Sequence, residues 1–330
     1  DDMRIKFIKD HGPEYDIIIF MGGLPAMYNL VDLHNMRHVK LIYYKCGNDF
    51  TNVVEKIIWE KEPRKEADKI FRYYDEVWYV PQQEEQNRHM YKMIFKHAKI
   101  VRVPFLWHPC LLDQEITSFK EKGKFQPYDP KKEKKIVGIM EPNISTLKFC
   151  FVPMLIAEHS YRSGGKEKID HLKVTNAHKF LENGQFKTFA SHMDLQKDGK
   201  LSVEHRYKTT YMLNNHVDIV VSHQQFNPLN YLYLDCAHLG YPVLHNGDLC
   251  KDIGYYYEGY DIDQGVAKLN EILHEHDAKH TEYVERNKKV LYKYNIENPG
   301  LQNAYKCLLD DIYTGRNDEK VWNPETNLFD

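Results

Sequence analysis

Val217-Asp218-Ile219-Val220-Val221 runs into Ser222-His223-Gln224-Gln225-Phe226-Asn227-Pro228-Leu229-Asn230-Tyr231-Leu232-Tyr233-Leu234-Asp235-Cys236-Ala237-His238-Leu239-Gly240-Tyr241-Pro242-Val243-Leu244-His245-Asn246, and the reading of this stretch decides the fold. A short β-branched apolar run of this kind forms a buried parallel strand, so a strand ends at Ser222. The loop after it is polar. Pro228 is placed as the first residue of a helix whose free N–H groups point back toward the strand end. Gly240 stops that helix, and Pro242-Val243-Leu244-His245 reads as another buried strand. Strand, polar loop, helix, turn and strand make one parallel crossover unit. Ligands in such sheets sit at the carboxyl ends of the strands. The side chains there are His223, Gln224, Asn227, Asn230 and Tyr231, with Asp235 one helical turn beyond Tyr231 on the same face.

Upstream the same punctuation repeats. Residues 3–8 and Asp16-Ile17-Ile18-Ile19-Phe20-Met21 read as strands with too few residues between them for a crossover helix. They either pair as a hairpin or lack an initial strand-helix unit. Met21-Gly22-Gly23 closes the strand in a loop that serves as a tight turn or as a place where backbone approaches a ligand. Residues 40–44, 75–80 and 100–103 read as further strands, with helices expected over 53–60 and 84–97. Polar composition between Asp113 and Lys135, with Gly123, Pro127, Pro130 and the run Lys131-Lys132-Glu133-Lys134-Lys135, predicts a solvated interdomain linker. Beyond it, strands are expected over 135–140 and 172–176, and helices over 147–161, 178–186, 205–213, 266–275, 281–294 and 304–313. The predicted organisation is a first domain over 1–112, a linker over 113–134, a second domain over 135–298 and a C-terminal helix and tail over 299–330. The fold class is α/β, with two Rossmann-like doubly wound domains facing a cleft.

Composition bounds the function. At 330 residues with 42% hydrophobic content, 24 Tyr, 15 Phe and 4 Trp, the chain can fill two cores. No apolar run reaches the 18 or more residues of a membrane span, and the start, Asp1-Asp2-Met3-Arg4-Ile5-Lys6, has no apolar region typical of a signal peptide. The six cysteines show no CxxC pair and no zinc-ligand spacing, so reduced thiols in a cytoplasm-like compartment are expected. A formal charge of −3 gives no general attraction to phosphate backbones.

The tail Ala237-His238-Leu239-Gly240-Tyr241-Pro242-Val243 after Asp235, with Gly138-Ile139-Met140-Glu141-Pro142-Asn143 upstream and Asp252-Ile253-Gly254-Tyr255-Tyr256-Tyr257 downstream, resembles a family of GT-B-type glycosyltransferase-like proteins of bacteria and large DNA viruses. The likeness spans residues 16–298. It implies a nucleotide-sugar donor held by the second domain, with Asp235 on the ribose hydroxyls and a last helix that crosses back to the first domain. Such enzymes often place an Arg and, five positions later, a Lys on the diphosphate. Here the Lys is Lys148, but the Arg position holds Asn143. Members also begin with a longer nucleotide-fold start, which favours the missing-unit reading of residues 3–16.

Glycosyl transfer must neutralise a departing diphosphate, with a metal ion or with cations and helix N-termini. The only Asp-x-Asp triplet, Asp261-Ile262-Asp263, follows no apolar strand, so no metal and no cofactor are expected. Glu141, Asn143, Lys148, Thr175, Asn176, His223, Gln224, Asn227, Asn230, Tyr231 and Asp235 are the candidate donor residues. Gly22, Gly23, Asn48 and Trp107 are the candidate acceptor-side residues. Asp49, His108 and His223 are the catalytic candidates, with His11 also able to serve as a general base in an inverting mechanism. The expected activity is transfer from a nucleotide sugar, a UDP sugar first, to an acceptor hydroxyl of a glycan. One alternative is a viral enzyme glycosylating a hydroxylated base in DNA, with Arg64-Lys65, Arg88-His89, Lys96 and Lys99 as a basic face. The other is a nucleotide-sugar-binding scaffold without chemistry.

Overall fold

The computed structural model describes residues 11, 14–22, 27–36, 38–59, 71–316 and 320–330. The strand expected over 3–8, Gly23 and the Arg64-Lys65 pair lie outside the described residues. The chain forms two compact units, residues 1–106 with 294–330, and residues 107–293.

In the first unit four parallel strands stand in sequence order: β1 (Ile17–Met21), β2 (Lys40–Lys45), β3 (Glu76–Tyr79) and β4 (Lys99–Arg102). Helices α1 (Met27–Asn35), α2 (Asp49–Ile58) and α3 (Glu84–Ile94) alternate with them. The core is aromatic. Tyr43 stacks on Tyr74 at 5.0 Å, and Phe95 meets both edge-on beneath buried Tyr91 and Val77. Helix α2 turns Thr51 and Glu55 inward and leaves Phe50, Val53 and Ile57 exposed. The C-terminal segment belongs to this unit. Asn327 in the turn between two short C-terminal strands clamps Phe105 through both amide atoms, at 2.9 and 2.7 Å, and Tyr305 donates to the Pro104 carbonyl at 2.8 Å.

The second unit carries α4 (Cys110–Glu121), β5 (Lys135–Ile139), α5 (Phe151–Ser160), β6 (Ile169–Val174), α6 (Gly184–Ser191), α7 (Asp194–Lys197), β7 (Leu201–Val203), α8 (Thr209–Asn215), β8 (Ile219–Val221), α9 (Tyr231–His238), β9 (Val243–His245), β10 (Tyr255–Tyr256) and α10 (Ile262–Leu291). All six strands are parallel, in the order β10-β9-β8-β5-β6-β7. This is the order of a dinucleotide-binding sheet, built outward in both directions from its first strand. It reverses between β5 and β8. The last helix, α11 (Pro299–Thr314), is started by Asn298, whose side chain accepts from Gly300 N, with Pro299 at its first position.

Three expectations are corrected. The segment 113–134 is no solvated linker: residues 113–121 belong to α4, and the rest is pinned within the second unit. Gln126 N donates to Asn214, Tyr128 donates to Asp277 at 2.6 Å, and Lys132 pairs with Asp218. Lys135 is 2% exposed and bridges Asp277 and the Asp129 carbonyl. Residues 262–291 form one 30-residue helix rather than two, because no Gly or Pro falls in its middle. Pro228 does not open α9; Asn230 caps it by accepting from Leu232 N, and Pro228 lies in the extended approach. Helix α9 does end at Gly240, where φ is 78° and Gly240 N and Tyr241 N return to the carbonyls of Ala237 and Cys236 in a Schellman cap. Strands β7 and β10 escaped notice because two or three residues are too few to show a period.

Candidate functional site

The strand order reverses between β5 and β8, and in open parallel sheets ligands bind beyond the carboxyl ends of the strands at such a point. The two loops are stitched to each other: Lys148 and Gln224 form an antiparallel bridge, and Gln225 N donates to the Leu147 carbonyl at 2.8 Å. Glu141, Lys148, Ser222, His223 and Gln224 therefore stand at one end of one sheet.

Glu141 is the hub and is fully buried. The Ser222 hydroxyl donates to one carboxyl oxygen, Gln224 Nε2 to the other at 3.3 Å, and the His223 backbone also bonds it. Burial raises its pKa to about 7, against the lowering effect of those bonds and of Lys148. The Lys148 ammonium is half-buried and makes no ion pair among the described residues; burial lowers its pKa while Glu141 opposes the shift.

His223 is 2% exposed. Its Nδ1 lies 2.8 Å from the Tyr257 hydroxyl, which is also 3.3 Å from the Ser222 carbonyl, and Tyr260 meets the ring at 4.3 Å. With the Tyr257 hydrogen on that carbonyl, Nδ1 carries the imidazole proton. Nε2 then presents a lone pair, and this nitrogen is buried without a hydrogen-bond partner. Burial holds the pKa at about 4, so the ring is neutral near pH 7.

The loop after β5 is shaped by Asn143, which takes φ of 54°. Its amide donates to the carbonyls of Glu141 and Thr175, both at 3.0 Å, and accepts from Cys150 N at 2.9 Å. Both its amide hydrogens and its carbonyl oxygen are thus turned to backbone groups. Thr175 is likewise turned to backbone, 3.4 Å from the Ile139 carbonyl. Asn176, with φ of 58°, donates to the Glu141 carbonyl and leaves its Oδ1 buried without a partner. Phe226, after β8, has φ of 48° and is exposed. Three of the four described non-glycine residues with positive φ thus lie in loops at this end of the sheet, and such strain clusters where a ligand is held.

Gln224 carries the network outward. Its Oε1 accepts from the amides of Asn227 and Asn230, and its backbone exchanges two bonds with the Asn246 side chain. Asn230 is both cap and network member. Tyr231 is half-exposed at the start of α9. Asp235, one turn on, accepts from Trp107 Nε1 at 2.9 Å, and burial raises its pKa to about 6. Trp107 was expected on the acceptor side of the first domain; the structure places it in the second unit, against Asp235 and His238. Ser222, Tyr257 and Asn246 were missed, although each stands at or just beyond a strand end, which was the signal that found their neighbours.

The remaining candidates hold other partners within their own units. His108 belongs to the second unit and its Nδ1 accepts from Cys110 N at 3.2 Å. In the first unit, Asn48 caps α2 and bonds Gln86 at 2.6 Å, while Asp49 pairs with Lys45. Gly22, with φ of 67°, donates its N–H to the Tyr44 carbonyl at 3.4 Å, and a Cβ there would meet no described atom within 4 Å. His11 pairs with Glu14 on the surface, and Arg88 of the expected basic face pairs with Glu84. Of the arginines of the second unit, Arg162 is held by Glu158 and Asp194, and Arg206 is exposed after β7. Among the described residues no group of three or more His, Cys, Asp or Glu is placed to hold a metal, and no helix is long and apolar enough to cross a membrane.

Two parallel α/β units, the second a sheet built outward from its first strand, are the plan of GT-B glycosyltransferases, and solved structures of that class share this fold. A point mutant of S. aureus TarM in complex with fondaparinux, α-GlcNAc-glycerol and UDP matches with a TM-score of 0.56 at 14% identity over 89% of this chain. Sucrose-phosphate synthase from Thermosynechococcus elongatus matches at 0.56 with 13% identity over 94%, and trehalose-6-phosphate synthase OtsA at 0.54 with 11% over 94%. The chain spans 55% of the TarM chain, 78% of the sucrose-phosphate synthase and 75% of OtsA. At these identities the likeness is one of fold. The chain itself belongs to the family described as "Protein of unknown function (DUF2827)", whose model matches residues 1–309. No curated protein matches it.

Proposed function

We propose that this protein is a glycosyltransferase that binds a nucleotide sugar, UDP-linked in the first instance, at the carboxyl ends of β5, β6 and β8 and passes the sugar to an acceptor hydroxyl of a glycan without a metal ion. One observation carries the reading. Where the strand order reverses, the Lys148 ammonium is unpaired, and His223 Nε2 and Asn176 Oδ1 are buried without partners. Buried polar atoms are nearly always bonded, so open valences in loops at one end of this sheet support a polar ligand there. Lys148 would meet the diphosphate and the His223 lone pair a sugar hydroxyl. At a pKa of about 4 His223 is too weak a base to be the general base. Asp235 would offer the ribose the oxygen that Trp107 leaves open.

The test is calorimetric titration with UDP and UDP sugars in the presence of a chelator, followed by product analysis with a glycan acceptor panel. Lys148→Ala is expected to weaken UDP binding by tenfold or more, since a bond to a charged group is worth about 1.5–3 kcal/mol. Unchanged affinity in that variant would remove the donor assignment. Tight binding with no transfer would turn the reading into one of a sugar-nucleotide-binding protein.

A further inference from the structure

The charges at the donor end of the sheet do not balance those of the ligand proposed above, and this inference rests on that reading. A nucleoside diphosphate sugar brings two negative charges. Against them stands Lys148, the unpaired cation beside β5. Arg206 follows β7, two strand spacings or roughly 10 Å along the sheet, beyond a direct ion pair. Below Lys148 lies a third negative charge, the carboxylate of Glu141, fully buried and already costly to ionise.

The groups facing Glu141 are few. Lys148 and Cys150 come from its own loop and the start of α5, His223 from the loop after β8, Tyr233 from α9, and Tyr257 from beyond β10. The cysteine and both tyrosines have their pKa values raised by burial and stay protonated, and His223 stays neutral. Glu141 is therefore the group beside Lys148 that can change charge near neutrality. The hydrogen bonding provides for it. Ser222 Oγ has one hydrogen and two acceptors, a Glu141 oxygen and the Tyr233 hydroxyl at 3.1 Å. Facing a carboxylate, Ser222 donates to Glu141. Facing a carboxylic acid, it turns its hydrogen to Tyr233 and accepts the new O–H, so the Ser222 hydroxyl and the Glu141 carboxyl stay bonded in both states while the Tyr233 hydrogen turns away from Ser222.

We propose that Glu141 takes up one proton from solvent as the donor's diphosphate enters, with the Ser222 hydroxyl swinging from Glu141 to Tyr233 to receive it. The proton replaces the second cation that this chain lacks at position 143, and it makes Glu141 the residue that sets how much negative charge the site accepts.

The probe is UDP-glucose, whose diphosphate has no group titrating near neutrality. Titrations at one pH near 7.5 in buffers of differing ionisation enthalpy are expected to show uptake approaching one proton per donor bound. The affinity is expected to weaken by up to about tenfold per pH unit above neutrality. Glu141→Gln, which mimics the protonated state, is expected to bind with no proton uptake and with the same affinity at about pH 6 and about pH 8.5. Ser222→Ala, which removes the acceptor for the new proton, is expected to lower the uptake. Binding without proton uptake in the unaltered protein would overturn the role of Glu141 while leaving the donor site standing. No binding of UDP-glucose or UDP at any pH would overturn the donor reading and this inference with it.

Discussion

At the scale of single residues, the site is a contest over which polar atoms are already spent. Asn143 and Lys148 are five positions apart in one loop, yet the asparagine's three bonds all serve backbone, whereas the lysine's ammonium is left over. Asn143→Ala would orphan the Thr175 carbonyl and Cys150 N, since Asn176 still donates to the Glu141 carbonyl, and we expect a loss of about 2–4 kcal/mol in urea unfolding, since each unsatisfied group costs about 1–3 kcal/mol. Asn143→Gly should cost less, because glycine accepts the φ of 54° without strain. His223 makes the opposite case. If its Nε2 lone pair takes a sugar hydroxyl, His223→Ala weakens a UDP sugar several-fold and UDP alone hardly at all; an equal loss for both would assign the ring to the nucleotide or to the fold. The residue types were legible in the sequence because polar side chains directly after a β-branched run must stand at a strand end. Their allegiance was not. The bond from Trp107 to Asp235 joins positions 128 residues apart, and no local pattern carries such a contact.

At the scale of elements, legibility followed length and punctuation. Strands β2, β3, β5 and β8 were evident because buried parallel strands are continuous apolar runs, and α9 was given a firm end by Gly240. Its start was misjudged because Pro228 and Asn230 are both good helix openers, and the side-chain cap prevailed over the preset φ. The segment 113–134 looked like a linker because lysines, prolines and a glycine punctuate loops, but Tyr128 within it and Lys135 just after it both reach Asp277 of α10, a contact that composition cannot show. Strand β5 carries a testable constraint of its own. A Cβ at Gly138 would lie 2.6 Å from both methyls of Val217, at the approach to β8 where the two central strands meet. Gly138→Ala is therefore expected to destabilise the second unit by about 1–3 kcal/mol through overpacking, read as a lower unfolding midpoint. The double variant Gly138→Ala with Val217→Ala should recover part of that loss. A lack of recovery would place the strain elsewhere.

For the whole molecule, the buried titratable groups oppose one another, and their balance fixes where the fold is most stable. His223, His245 and His276 are held at about 4, against an ordinary 6.5, by burial. Between those limits the unfolded chain binds more protons than the native one, so these three groups make stability rise with pH and lose it as pH falls toward 4. Glu141 at about 7 and Asp235 at about 6 act the other way: the native state holds their protons longer, so their contribution is lost as pH rises from the ordinary carboxylate range to those values. Between pH 4.5 and 6 three protons oppose two, and stability climbs by about 1.4 kcal/mol per unit. Above pH 6.5 Glu141 alone remains and the curve turns down. All five groups lie in the second unit, so urea titrations across pH 4.5 to 8 should show its midpoint highest near pH 6 to 6.5, falling on both sides. Glu141→Gln should abolish the alkaline fall and keep the acid one. A midpoint that climbs steadily through pH 7 in the unaltered protein would mean that Glu141 is ionised at no cost. The donor would then find in this carboxylate a fixed negative charge instead of a proton acceptor, and Lys148 would have to meet the diphosphate with no relief from below.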